Sequence, residues 1–342
     1  MIFYLVFITA FVLYKVEVFS SNLNENYLSK ENTDCIKGIF MFLIIASHAM
    51  SYIEFSGEHD KLYLLLQSYL GQGIVAMFLF YSGYGVSEAI KKKGLSYIKT
   101  IPIKRVLVTW INYDLAVILY WGVNICLGIS YPKRKIVLAF LGWKSIGNSN
   151  WYIFTIIWCY LLTWIAFRLF YKNHRNAIIV TSVLIIIYSV VLHQQKSSEW
   201  YWYCTNSCYL IGLWYSYYKE KVNEFLFKSS TAYAACFWTI LVLALVLRQG
   251  SRINLIIYEI WSAVFALMCL FISMKIQFNN PILRWMGVHT FELYIIQRLP
   301  MLVLKRLGVT DNPYVFLMIS ILLIFPCAFI FGKIKISGQA VR

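Results

Sequence analysis

Charged side chains are scarce in this chain. Asp, Glu, Lys and Arg make up 13% of its 342 residues, about half the share of an ordinary soluble domain. Acidic residues are the rarer sign, 15 against 31 basic ones. No polar stretch exceeds about twenty residues, far short of the length a separate soluble catalytic domain requires. The eight cysteines contain no Cys-x-x-Cys pair, and Cys204 and Cys208, four apart, lack the matching His or Cys pair of a zinc site. They read as small apolar packing residues, and no metal is expected. Internal repeats, heptads and low-complexity tracts are missing too. So is any basic stripe with interleaved aromatics on a polar segment, which excludes nucleic acid as a partner despite the net charge of +16.

What remains is apolar. Hydrophobic residues reach 60%, aromatics 18% and mean hydropathy +0.65. Apolar runs of near membrane-crossing length recur from end to end, so the expected fold is all-α, a polytopic transmembrane helical bundle of about 10–11 spans. The expected spans are 1–19, 36–53, 68–88, 106–129, 151–168, 176–193, 203–218, 231–247, 254–274, 286–304 and 313–332. The first lacks the positive start and small-residue cleavage site of a signal peptide and reads as a retained span. The 203–218 run is rich in Tyr and Trp, and 286–304 is interrupted by Glu292, Arg298 and Pro300.

Loop charges set an orientation. With 20–35 placed in the cytoplasm, alternation puts 19 cations inside, among them Lys30, Lys37, Lys91, Lys92, Lys93, Lys335 and Arg342. The other side receives 10, including Arg248, Arg252 and the cluster Lys133-Arg134-Lys135. The excess predicts a multi-pass protein of the plasma or inner membrane with its C-terminus cytoplasmic. Membrane lipids are its expected surroundings.

Polar residues within apolar spans are the candidates for chemistry, because a membrane makes them costly. His48 stands out. It follows Lys37 by eleven residues, about three turns plus roughly 20° of helix, so both lie on one face about 16 Å apart. An imidazole there can accept or relay a proton, bind metal, or hydrogen-bond a neighbouring helix. Lys37 belongs at the interface, where it either receives an anion or merely snorkels and sets topology.

The run Asp34-x-x-Lys37-Gly38, followed by His48, resembles the opening of the membrane acyltransferase 3 family, in which a cation precedes a histidine by eleven positions. Phe78-Leu79-Phe80-Tyr81-Ser82-Gly83-Tyr84 is similar to the family's aromatic run ending in Ser-Gly-aromatic. Lys104-Arg105 resembles its basic helix entry. Asn150-Trp151-Tyr152 and Thr290-Phe291-Glu292-Leu293-Tyr294-Ile295-Ile296 fall where the family has its Trp-aromatic and late Glu-x-Tyr segments. The likeness covers about residues 30–335. It divides the chain into an additional N-terminal helix and loop, 1–30, and an acyltransferase 3-like domain, 31–342. Two departures stand out: Val108 occupies the place of a second arginine, and Gln297 that of a late histidine.

The resemblance implies transfer of an acyl group, acetyl by the family's default, from cytoplasmic acyl-CoA to a hydroxyl of a cell-surface polysaccharide or lipid-linked sugar. The donor is a substrate, and no cofactor is implied. His48 becomes general base or acyl-accepting nucleophile. Lys37, Lys104, Arg105 and the Lys91–Lys93 loop become a catch for the donor's phosphates, and polysaccharide-assembly proteins become possible partners. Around them, Asp34 pairs with Lys37 as an i, i+3 neighbour, a weak interaction if it lies at the surface. Ser82 either offers its hydroxyl to the site or, with Gly83, marks a close helix contact. Glu292 either orients the base or binds acceptor, or forms an ion pair with Arg298 or another buried cation. Trp151 is a candidate for substrate contact. Of the other histidines, His59, His174 and His193 read as solvated or interfacial, and His289 stays a minor candidate. A transporter or flippase of glycan precursors, or an inactive glycan-binding relative, are the readings from other classes.

Overall fold

In the computed structural model the chain is a helical bundle. It describes residues 1–251 and 253–336; Arg252 and Arg342, counted above among the loop cations, lie outside the described residues. The helices, in order, are α1 (Ile2–Leu13), α2 (Lys30–Ala49), α3 (Lys61–Leu70), α4 (Gly73–Lys93), α5 (Leu95–Ile101), α6 (Val108–Cys126), α7 (Lys133–Phe140) and α8 (Trp151–Leu169). There follow α9 (His174–Gln195), α10 (Ser207–Phe227), α11 (Ser230–Gly250), α12 (Leu255–Ser273), α13 (Pro281–Val288), α14 (Thr290–Ile296), α15 (Arg298–Arg306) and α16 (Pro313–Ile334). The two three-residue strands, β1 (Val16–Val18) and β2 (Ile276–Phe278), pair antiparallel with Val16 opposite Phe278. They close one end of the bundle.

Each expected span contains helix, with informative differences. Among the described residues, seven helices or helix runs are long and apolar enough to cross a membrane. α2 and α10 have the length, 20 and 21 residues, but carry more charge. The first span is only twelve helical residues, about 18 Å of rise, before the chain turns at Lys15 (φ 58°) and enters β1. Its ends still reach both ends of the bundle: the Met1 amino group contacts Asp60, and Asn279 N–H donates to Lys15 O at 3.1 Å. The 286–304 span is not one helix. It breaks into α13, α14 and α15, with His289 and Gln297 at the joints.

The basic entry also differs from expectation. Lys104 and Arg105 do not begin a span but lie inside a continuous helical run, Leu95–Cys126. Residues Pro102–Leu107 form a wider π-turn, closed by Val108 N–H donating five residues back to Ile103 O. Pro102 has no N–H to continue the α pattern, and the extra residue in the turn re-aims the side chains that follow. Such π-bulges recur at functional sites.

Small residues set the closest contacts. A Cβ on Gly38 would stand 2.2 Å from Leu283 O, and one on Gly287 would stand 1.8 Å from Asp34 O. α2 and α13 therefore touch backbone to backbone. Gly83 and Gly212 do the same for α4 and α10. Without a hydrophobic drive between helices in lipid, this close approach supplies the packing. Outward faces of α9, α11 and α16 leave Ile186, Val190, Val242, Val246, Leu322 and Ile330 exposed, as a lipid-facing surface requires. The protein is a multi-pass membrane protein.

Candidate active site

The α2 helix starts cleanly because Ser29 accepts from Asn32 N–H as its N-cap. One face then carries Lys37, Met41, Ile44 and His48 at spacings of four, three and four. Lys37, Met41 and Ile44 line a cavity of about 530 Å³ between α2, α4, α6, α8, α13 and α14. At its Lys37 end stand four cations, Lys37, Lys104, Arg105 and Lys335. No Asp or Glu lines it among the described residues. The rest of the wall is largely aromatic: Phe78, Tyr81, Tyr152, Tyr160, Phe291 and Tyr294, with Ser82, Thr109, Asn112 and Thr290 adding polar groups. A cationic mouth over an aromatic interior suits a polyanionic ligand with an apolar arm.

Three of these cations are held by protein partners. Lys37 Nζ sits 2.6 Å from Asp34 Oδ1. Asp34 is 2% exposed and its Oδ2 has no partner, so a buried carboxylate holds a half-buried cation, and this is not the weak surface contact its spacing suggests. Arg105 Nε donates to Tyr97 OH at 3.3 Å, and its guanidinium lies 5.8 Å from the centre of the Tyr160 ring. The Lys335 ammonium contacts Glu292. Lys91–Lys93, expected as a loop, form the last turn of α4 and contribute nothing to the lining: Lys91 bonds Glu88 at 3.0 Å and also Ser216 O.

His48 lies one helical turn beyond Ile44 and is not itself in the cavity wall. Its ring centroid is 6.0 Å from that of Tyr294, which does line the cavity and stands 5.4 Å from Tyr152. Its Nδ1 is buried without a hydrogen-bond partner, as is the Tyr294 hydroxyl. Gln297 and Arg298 are polar neighbours of the imidazole. Gln297 is fully buried, donates through Nε2 to Tyr294 O at 3.1 Å, and leaves Oε1 unpartnered. Unpartnered buried polar atoms concentrate here, where an incoming polar group can satisfy them.

The other expected site residues divide. Ser82 lines the cavity, as does Tyr152, while Gly83 makes the close α4–α10 contact. Glu292 is 1% exposed, and among the described residues its partners are His289 Nδ1, at 3.3 Å, and Lys335, neither His48 nor Arg298. Trp151 is not brought into the cavity. It packs on Tyr201 with centroids 5.9 Å apart, while the next residue, Tyr152, faces the cavity. Sequence reasoning missed Tyr152, Tyr294, Asn112 and Lys335. Tyr294 and Tyr152 were inside quoted segments but were overlooked among 26 tyrosines. Asn112 was visible as an amide in an apolar span, and Lys335 was absorbed into the loop-charge count.

A model of one family, an acyltransferase domain, matches residues 31–333, nearly the whole chain. Neither a curated protein nor a solved structure matches. The match begins within α2, just before the Asp34–Lys37 pair, and ends within α16, so it contains every cavity-lining residue except Lys335 and Ile336. The chain belongs to the acyltransferase 3 family and is an integral membrane acyltransferase.

Proposed function

We propose that the protein transfers an acyl group, acetyl by the family's default, from cytoplasmic acyl-CoA to a hydroxyl of a cell-surface glycan or lipid-linked sugar. One observation carries this reading. A cavity lined by four cations and no carboxylate runs along one face of α2 to Tyr294, whose ring stands 6.0 Å from the imidazole of His48 on that same helix face. Lys37, Lys104 and Arg105 would hold the donor's phosphates through charge-assisted hydrogen bonds. The pantetheine arm would run along Met41 and Ile44, bringing the thioester to the Tyr152–Tyr294 pair, with Ser82 beside it.

His48 would act from beyond Tyr294. As general base it takes the proton of the acceptor hydroxyl while that oxygen attacks the thioester carbonyl. The C–S bond breaks, and the CoA thiolate recovers the proton. In the alternative route an imidazole nitrogen attacks the thioester carbonyl, the C–S bond breaks and the CoA thiolate takes up the imidazole proton; the acceptor hydroxyl then attacks the acyl-imidazole and returns its proton to the imidazole. Base catalysis of this kind contributes about 10²–10⁴-fold. Glu292 acts on Lys335 and His289 and so serves as a positioning group. The orientation is that of the loop charges, with the Lys37 end and C-terminus cytoplasmic and the acceptor met from the far side. Proteins of polysaccharide assembly are fitting partners for such an enzyme.

The test is acyl transfer by membranes containing the protein, supplied with radiolabelled acetyl-CoA, together with mass spectrometry of surface glycans. His48→Ala is expected to abolish transfer. Unchanged glycan acetylation in the His48→Ala strain would overturn the assignment, and glycan transport without acyl turnover would support a transporter instead.

A further inference from the structure

The last described residues of the chain cross the cavity mouth. α16 ends at Ile334 because Lys335 adopts an extended backbone, φ −59° and ψ 148°. The next residue, Ile336, is clamped by one side chain of α6. Asn112 Nδ2 donates to Ile336 O at 2.9 Å, and Ile336 N–H donates to Asn112 Oδ1 at 2.8 Å. Asn112 is 4% exposed, so a buried amide commits both its donor and its acceptor to this one residue of the tail. The backbone N–H and C=O of Ile336 are thereby both satisfied.

One residue earlier, the Lys335 ammonium meets Glu292 on α14. That carboxylate is buried, and without a cation beside it the charge would be costly. The tail is therefore tied to two different helices, and both Lys335 and Ile336 line the cavity. An ammonium carries three N–H donors, and the Lys335 side chain remains 29% exposed. Held this way, Lys335 has already lost the rotamer freedom that a loose lysine gives up when it binds.

We propose that this C-terminal strap supplies a donor-binding cation: Lys335, fixed by Glu292 and by the Asn112 clamp on Ile336, binds the phosphate groups of acyl-CoA at the cavity mouth. This rests on the acyl-CoA reading above. Lys335 keeps Glu292 as its anchor and turns its remaining donors to the ligand, so binding does not strand the buried carboxylate. Asn112 is a positioning residue that acts through the strap.

The experiment uses the full chain in nanodiscs, with acetyl-CoA and with S-acetyl-pantetheine, a donor lacking phosphates. Lys335→Ala is expected to raise KM for acetyl-CoA about tenfold with kcat nearly unchanged, as loss of a ground-state contact predicts. Kinetics with S-acetyl-pantetheine should stay at the wild-type level, and Lys335→Arg should restore most of the acetyl-CoA affinity. Asn112→Ala should shift KM in the same direction and to a smaller extent. If Lys335→Ala fails to fold, the double variant Glu292→Gln/Lys335→Met removes the buried carboxylate and its cation together and carries the same expectation. An unchanged KM for acetyl-CoA, or equal losses with both donors, would overturn the role of the strap alone. A wild-type protein that neither binds CoA nor turns over either donor would overturn the acyl-CoA reading and this inference with it.

Discussion

The rings of His48 and Tyr294 stand 6.0 Å apart between centroids, and Tyr294 lines the cavity that His48 does not. The tyrosine thus links the cavity wall to the imidazole.

The first prediction concerns that residue. Tyr294→Phe keeps the ring and should hold acyl transfer within about threefold, whereas Tyr294→Ala should lower kcat at least about tenfold, a change of roughly 1.4 kcal/mol in the barrier. Steady-state transfer assays on the two variants separate ring from hydroxyl. Equal activity of Tyr294→Ala and wild type would remove the residue from the path.

A second prediction follows from the buried carboxylate at the mouth. Lys37→Met leaves Asp34, 2% exposed, without its cation, and an unsatisfied buried charged group costs about 1–3 kcal/mol or more. Lys37→Met should therefore melt lower than the double variant Asp34→Asn/Lys37→Met, in which no charge is stranded. Both should raise KM for the acyl donor. Thermal unfolding in detergent gives the order of stability, and a Lys37→Met protein as stable as the double variant would show that the carboxylate is not buried.

Helix contact makes the third. Gly287→Ala places a methyl where only 1.8 Å separates it from Asp34 O, so α2 and α13 must part, at an overpacking cost of about 1–3 kcal/mol. Because Asp34 and Lys37 ride on α2, donor affinity should fall with stability. Gly122→Ala is the control: nothing lies within 4 Å of its added methyl, and replacing a helical glycine gains up to about 1 kcal/mol. Melting temperatures of the two variants should move in opposite directions.

The fourth lies at the far end of the bundle. Lys196 is caged between the rings of Trp143 and Trp202, 4.5 and 4.3 Å away, and bonds Glu199 Oε1 at 3.1 Å. Burial would raise the Glu199 carboxyl, but bonds from Lys196, Tyr201 and Trp202 outweigh it and hold the group below its ordinary value. A depressed carboxyl contributes stability that is present above its unfolded value, about 4.3 for Glu, and is lost as pH falls through the folded one. Wild type should lose its thermal advantage over Glu199→Gln as pH drops below about 4. A difference in melting temperature that is constant from pH 7 to pH 3 would contradict this.

Much of this was legible in the chain. The face shared by Lys37, Met41, Ile44 and His48 is fixed by helical period alone, and the structure keeps it. The 286–304 segment declared its trouble through Glu292, Arg298 and Pro300, and it is broken into three helices. Gly38 and Ser82 were read in motifs, yet their tasks depended on partners at Leu283 and Tyr152. The basic pair Lys104-Arg105 was visible, but the π-turn that aims it depends on hydrogen bonds five residues apart, which composition does not reveal.

By itself, then, the sequence determined what is local: the membrane class from scarcity of charge, the helical segments from apolar runs, and the register of Lys37 with His48 from 3.6 residues per turn. Tertiary structure decided which distant residues meet. Lys335 closes a cavity opened by Lys37, nearly three hundred positions earlier, and Tyr294 rather than Trp151 stands beside His48. The reason is physical. Periodicity fixes a side chain's direction about its own helix axis, whereas its neighbours depend on how the helices pack. Here that packing rests on glycine contacts such as Gly38 on Leu283 and Gly287 on Asp34.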